Sequence, residues 1–508
     1  MRFFRKNSMH CFHGGFMSDN QIYNDRDLRK YVNTLVLVYL EAVYSLYDKP
    51  DIYVEYSVNK GLYTKINGKG RIARHEVDEI KQAMNLLIES DIPITKSRHT
   101  KEEAIEIFKK QNMLDKVKLF STVSLNIIDL YRIRNNYYNI FGEMFDSTGH
   151  TGNYDLKLAD QGIVILFPRK EDNYELPVYI HQEKLFNVFM ESENWAKLLK
   201  VDDVGDLNLK IRDGSIDDII RVSEALHEKK VAKIADSICN SDARIILIAG
   251  PSSSGKTTFA NRLGIQLMVN GKDYITISLD DYFVDRELTP RDESGSYDFD
   301  TIDALDIPLF NKDLSKLLKG DAVQIPTFDF MTGKRKYNKG LTKVRSDQYI
   351  VIEGIHGMND RLTESILAKD KYKIYISALT QLNLDDHNRV STTELRLIRR
   401  MIRDNQFRGH NAEKTLQLWE NVVKGENRYI FPYQENADVM FNSSLIYELS
   451  VLKKYALPVL NEIKESSPFN VEKLRLLSFL KYFNEIEDET VIPNTSIIKE
   501  FIGGSCFH

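Results

Sequence analysis

Cysteine is scarce: Cys11, Cys239 and Cys506 are the only three in 508 residues. They are too few and too scattered for a disulfide framework or a cysteine-rich zinc site, and they fit a reducing cytoplasm. Long apolar runs are missing too. No window approaches ~18 uninterrupted apolar residues, so no transmembrane helix and no membrane partner are expected. The N-terminal stretch MRFFRKNSMHCFHGGFMSDN lacks the apolar core of a secretory signal, and Met17 is an alternative start. Nor is there an excess of positive charge. Lys+Arg is 69 against Asp+Glu 74, a net charge of -5, which argues against gripping nucleic acid through bulk charge. No repeat with a period of roughly 20–50 residues and no low-complexity tract is visible. The remainder is ordinary globular composition, 42% hydrophobic and 28% charged, and a mostly disordered chain is excluded. At ~150 residues per domain the length allows roughly three domains.

The pattern of apolar residues divides the chain into four parts. Residues 1–181 mix helical and strand periods and read as an α+β module. Asp27 to Tyr47 and His75 to Ser90 have helical spacing. Asp51 to Ser57 and Gly61 to Ile66 alternate like a hairpin, with the turn near Asn59-Lys60-Gly61. Thr100-Lys-Glu-Glu is a capping box that opens a further helix. Gln161 to Phe167 reads as a strand stopped by Pro168. Residues 182–242 lack Gly/Ser/Pro enrichment and read as a helical connector interrupted at Gly205 and Gly214. Residues 243–460 alternate short β-branched runs with helical stretches, which predicts an α/β domain with a parallel sheet and helices on both faces. The strands are expected at Arg244–Ala249, Tyr274–Leu279, Gln348–Glu353, Lys373–Ser377 and Ala437–Phe441. Residues 461–508 carry an amphipathic helix (Val471 to Phe483) and a Gly-Gly-containing tail.

Four motifs in the third part carry chemistry. The first is Gly250-Pro251-Ser252-Ser253-Ser254-Gly255-Lys256-Thr257, a G-x-x-x-x-G-K-[ST] run between a strand and a helix pattern. Its glycines let the main chain curl until successive N–H groups face a phosphate. Lys256 would reach the β- and γ-phosphates of a nucleotide, and the Thr257 hydroxyl would ligate Mg²⁺. Thr258 follows in the same turn. The second is Ser278-Leu-Asp-Asp-Tyr-Phe, at the strand edge where open α/β sheets bind ligands. Asp280, with Asp281 as the substitute, could accept the proton of an attacking hydroxyl, and phosphoryl transfer needs little more covalent help than that. The third is Val351-Ile-Glu-Gly-Ile-His-Gly, where Glu353 fits the Mg²⁺-side acid. His356 reads as a packed residue.

The fourth is an arginine helix. Arg396, Arg399, Arg400 and Arg403 fall on one helical face and Arg408 follows. Nearby in sequence only Glu394 and Asp404 oppose them, so the face is expected to seek an anion and to act as a lid over transferring phosphates.

Taken in order, these elements resemble the uridine kinase/phosphoribulokinase family of P-loop small-molecule kinases, over roughly residues 243–445. The resemblance implies ATP and Mg²⁺ as cofactors. Phe299-Asp-Thr-Ile-Asp-Ala-Leu-Asp is similar to a segment whose first acid contacts ribose hydroxyls, which maps to Asp300. Ile325 to Arg335 resembles the base-pocket segment. Within that segment Phe328 stands where the family has Tyr, and Gly333 where it has His, which leaves a larger, less polar pocket. By the same resemblance Asp281, Tyr282, Phe328 and Arg400 are expected to contact substrate beside Asp300, and Arg399, Arg403 and Arg408 to contact phosphate. His410 departs from another arginine position.

About residues 27–170 resemble a different family, the second additional, editing-type domain of threonyl-tRNA synthetase, through Gly61-Leu-Tyr, Ile92-Pro-Ile with Thr100-Lys-Glu-Glu-Ala, and Ser147-Thr-Gly. The two motif histidines align with Asn33 and Leu37, and Tyr138 to Met144 holds neither Cys nor His, so editing chemistry is expected to be absent and the module to be structural or regulatory. An RNA partner rests on this fold analogy alone.

The resulting expectation is a cytoplasmic kinase moving the γ-phosphoryl of ATP to the 5′-hydroxyl of a nucleoside. The alternatives are a nucleotide-gated RNA- or tRNA-binding regulator, and a kinase of a phosphosugar or hydroxy acid. The oligomeric state is not legible.

Overall fold

The computed structural model describes residues 25–507 apart from 59, 68–70, 293, 294, 296, 330 and 365. Cys11, Met17, the turn residue Asn59 and Phe330 of the base-pocket segment lie outside the described residues. The chain forms two compact units. One runs to Asn112 and resumes at Ile127–Tyr179; the other joins Met113–Asn126 to Ile180 and everything after it.

The first unit contains α1 (Asp25–Leu46), β1 (Asp51–Val58), β2 (Gly61–Asn67), α2 (Arg74–Glu89), β3 (Ile94–Thr100) and α3 (Lys101–Lys110). The chain then supplies α4 (Leu114–Thr122) to the second unit and returns with β4 (Ile127–Ile133), β5 (Asn136–Tyr138), β6 (Asp155–Ala159) and β7 (Gly162–Leu166). An antiparallel sheet has the order β1-β2-β7-β6, and β3-β4-β5 form a second one. Strand alternation does what the sequence pattern requires: Ile52, Val54, Tyr56 and Val58 of β1 are buried. The Thr100 box is formed. Its hydroxyl accepts the Glu103 N–H at 3.2 Å, and the Glu103 carboxylate accepts the Thr100 N–H at 2.9 Å. Leu37 is core, and the Asn33 amide donates to the carbonyls of Phe141 (3.1 Å) and Glu143 (3.0 Å).

The second unit begins with α4 and continues with α5 (Glu183–Leu199), α6 (Val204–Arg212) and α7 (Ile216–Cys239). Gly205 does not interrupt these helices as the sequence suggested. It sits in the first turn of α6, because the Asp203 side chain caps that helix by accepting the Asp206 N–H. The break lies at Lys200, whose left-handed backbone (φ 53°) ends α5. α4 is fixed by Lys116, which is wholly buried with its ammonium 2.6 Å from Asp385.

Then follow β8 (Ile245–Ala249), α8 (Lys256–Val269), β9 (Tyr274–Ser278), α9 (Ile307–Lys319), the hairpin β10 (Thr327–Asp329) and β11 (Lys334–Lys336), β12 (Tyr349–Glu353), β13 (Lys371–Ser377), α10 (Thr392–Phe407), α11 (Ala412–Tyr429) and β14 (Val439–Asn442). α12 (Glu448–Asn461), α13 (Asn470–Leu480) and α14 (Lys499–Ile502) complete the unit. Five strands form one parallel sheet in the order β14-β13-β8-β12-β9. All five residues of β8 are buried, as expected of a central parallel strand covered on both faces. Glu353 pairs with Ile248 on one side and Ser278 on the other, so β8, β9 and β12 end at one edge. The chain leaves β8, crosses to β9 and returns through β12, which makes that edge the ligand-binding side of an open sheet. Residues after 461 are not an appendage to this unit, since Phe479, Leu480 and Phe501 are core. No described helix is long and apolar enough to cross a membrane.

Candidate active site

Residues 250–257 connect β8 to α8. Ser253 and Gly255 take left-handed backbone (φ 58° and 83°), which curls the loop. Among the described residues no acceptor meets the main-chain N–H groups of Ser253, Gly255, Lys256 or Thr257. The hydroxyls of Ser253 and Ser254 are buried without a partner. Unsatisfied buried polar groups are costly and call for a ligand or water. Three further donors, one in the loop and two on Thr258 just after it, are held by carboxylates. Glu426 accepts the Ser252 N–H at 2.9 Å. Glu500 accepts the Thr258 N–H at 3.3 Å and its hydroxyl at 2.7 Å. The Lys256 ammonium, expected to reach toward phosphates, folds back, half-buried, onto the carbonyls of Gly250 (3.1 Å) and Pro251 (3.2 Å). Thr257 is exposed.

The acids after β9 separate into different surroundings. Asp280 is open to solvent but has protein packed around it, and that desolvation raises its carboxyl, opposed by Lys256, Arg408 and Arg403. Asp281 is engaged elsewhere: it accepts the Phe328 N–H at 3.2 Å and pairs with Lys339 at 3.1 Å. Tyr282 was expected at the substrate, but it turns into the core, edge-on to Phe310, with its hydroxyl 3.4 Å from Asp313. The turn Leu279–Tyr282 reverses the alternation, and Phe283 faces Phe328 in its place (ring centroids 5.5 Å). Glu353 accepts the Ser278 hydroxyl at 2.9 Å. Burial, then the charge of Asp280, push it up to about 7, while Lys256 pulls it down. His356 is buried.

The arginines of α10 do not form one face of free charge. Arg396 makes a bidentate, fully buried pair with Glu426 (2.7 Å through Nη2). Arg399 is wholly buried, donating to Glu448 (3.1 Å) and to the carbonyls of Ser443 (2.9 Å) and Ser253 (3.3 Å). The acids that neutralise these two lie 30 and 49 residues away, outside the window in which the sequence showed only Glu394 and Asp404. Arg400, Arg403 and Arg408 keep an excess of positive charge. All three lean on the single buried carboxylate of Asp404, at 3.2, 3.0 and 3.6 Å, and Arg400 also donates to the Ser252 hydroxyl at 2.9 Å.

Asp300 packs against Gly425 of α11, where any β-carbon would lie 2.6 Å from its own. Burial, then Glu426 and Asp298, raise its carboxyl to about 7, and Arg400 opposes them. Gly333 has φ 70°, and a side chain there would meet the Arg286 guanidinium at 2.8 Å. Glu426, Glu448, Glu500 and Arg286 carried no local signal in the sequence, and Phe283 was visible only as the end of the Ser278 motif. Only tertiary packing brings them to the loop and the pocket.

The model of the phosphoribulokinase/uridine kinase family matches residues 245–448. A uridine kinase of Lactobacillus helveticus is 31% identical over 198 residues, 39% of this chain and 84% of its own length. The chain belongs to the phosphoribulokinase/uridine kinase family. Another member, a uridine kinase of Staphylococcus haemolyticus, is 29% identical over 197 residues, 39% of this chain and 86% of its own. A solved structure, a possible uridine kinase from Bacillus stearothermophilus, overlaps 42% of this chain and 98% of its own at 19% identity and a TM-score of 0.29. In this family member the P-loop, the acids after β9 and β12 and the arginine-bearing helix α10 all belong to the second unit.

Proposed function

We propose that the chain is an ATP-dependent, cytoplasmic kinase that moves the γ-phosphoryl group to the 5′-hydroxyl of a nucleoside. One observation carries the reading. The P-loop lysine, the acids that end β9 and β12, and the arginines at the end of α10 meet: Lys256 lies near Asp280, Glu353 and Arg403, and Asp280 lies near Arg403 and Arg408. The donor set fits a polyphosphate: open main-chain N–H groups, two orphaned serine hydroxyls and an ammonium. Thr257 and Glu353 offer the hard oxygen donors that Mg²⁺ takes alongside water.

ATP supplies the transferable group, and Mg²⁺ screens its oxygens. Asp280 takes the hydroxyl proton of the acceptor, for which it must be ionised; the Lys256, Arg403 and Arg408 charges favour that state. Lys256 leaves the Gly250 and Pro251 carbonyls to face the phosphates. Arg403 and Arg408 neutralise charge on the transferring group. Arg399 acts through the loop it supports at Ser253. Asp300 and Arg400 orient the sugar, and the Phe283–Phe328 pair covers the base while Asp281 fixes the main chain of Phe328. The editing-like unit has a structural or regulatory role. The test is ADP release with a panel of nucleosides, phosphosugars and hydroxy acids. Turnover confined to nucleosides supports the reading, and turnover with none of them rejects it.

A further inference from the structure

The loop that would hold ATP already carries an anion of the protein's own. Thr258 is the third residue of α8. Its N–H is one of the donors a helix leaves unpaired at its N-terminus, the group that a P-loop turns toward phosphate. Glu500 binds both that N–H (3.3 Å) and the Thr258 hydroxyl (2.7 Å) through one oxygen. Thr258 is wholly buried, so this is an interior contact.

The carboxylate is delivered by packed structure. Ile497 covers Gly255 so closely that a β-carbon there would lie 2.6 Å from its Cγ2. Ser496 donates to Glu224, and Phe501 is buried under the Arg399 guanidinium at 4.8 Å. Glu500 also stands near Lys256 and Glu353 and acts on the charge of both. Gly255 at the N-cap has no side chain to meet a donor of α8, so the acceptor comes from 242 residues away. Here Lys256 and Thr257 keep open N–H groups, and the carboxylate takes the third.

We infer that Glu500 belongs to the nucleotide site and sets its affinity: its carboxylate occupies the Thr258 donors in place of a phosphate, and a bound nucleotide displaces it. The inference rests on the ATP reading above. Like charges cannot share a small, partly desolvated site without cost. A binding-competent state reached only after Glu500 withdraws lowers apparent affinity by its own population.

The test is calorimetric titration of the full chain with Mg²⁺ and ATP, for the wild type, Glu500→Gln and Glu500→Ala, beside hydrogen exchange of the wild type with and without ATP. Losing a hydrogen bond to a charged group should tighten ATP binding by roughly tenfold or more in Glu500→Ala, with a smaller gain in Glu500→Gln. The amides of 497–502 should lose protection when ATP binds. Equal or weaker binding by both folded variants overturns the inference, as does a segment 497–502 that stays protected in the ATP complex. The exchange readout decides even where a variant fails to fold. A wild type and variants that all bind no ATP reject the nucleotide reading itself, and this inference with it.

Discussion

The Glu426 carboxylate accepts the main-chain N–H of Ser252 at 2.9 Å, and its partner Arg396 donates to the carbonyl of the same residue at 3.2 Å. One buried ion pair therefore holds both main-chain polar groups of a single P-loop residue, and so two successive peptide units. Its energetic weight lies in what happens when half is removed. Glu426→Gln leaves Arg396 buried and short of charge, and should cost about 3–5 kcal/mol. Urea unfolding measures this. Replacing both partners with apolar residues should recover most of the loss, and a double variant as unstable as the single one would refute the account.

Lys256→Ala should remove turnover, by roughly a hundredfold or more, with little change in melting temperature. The ammonium touches only two loop carbonyls in this structure, so its loss unpacks nothing, while the charge it brings to a phosphate is lost entirely. ADP release and a thermal melt on the same preparation check both halves.

Asp280→Asn should lower kcat by about 10²–10⁴ and leave ATP affinity nearly unchanged, because a proton acceptor acts in the transition state. A collapse of ATP binding alone would move Asp280 to the metal side, next to Glu353.

Acceptor use should depend on pH through Asp300, whose carboxyl sits near 7. The ionised form accepts hydrogen bonds from sugar hydroxyls, so kcat/KM for the acceptor should rise as pH passes upward through about 7. Asp300→Asn should flatten that rise. The sign for stability is opposite. The folded value lies above the ordinary 3.8, so between pH 4 and 7 only the unfolded chain has released this proton, and stability falls as pH rises across that window. Unfolding midpoints at pH 5 and pH 7, compared between wild type and Asp300→Asn, separate the two effects.

Much of the sheet was readable because strand and helix periods are local. The five parallel strands differ from the sequence expectation by at most two residues at either end. The P-loop and the acid-bearing strand ends were readable because their spacing is short and chemically constrained. What escaped was every feature made by distance in sequence. Nothing near Arg396 or Arg399 announces Glu426 or Glu448. Nothing near Tyr282 shows that a single helical turn hands the pocket to Phe283. Gly333 stands where the resembled family has His, with no local sign of why. Its positive φ and the Arg286 guanidinium make Gly333→His a strained substitution, so Phe328→Tyr is the cleaner probe of base preference.

The loan of α4 from one unit to the other has a practical consequence. Lys116 supplies the ammonium beside Asp385, and both are wholly buried. A fragment begun at residue 182, where the connector looks separable, would leave that aspartate facing a hole with no counter-charge. The catalytic half is not encoded by a continuous stretch of the gene. A protease nick on either side of residues 113–126 should be tolerated only while the excised helix stays in place.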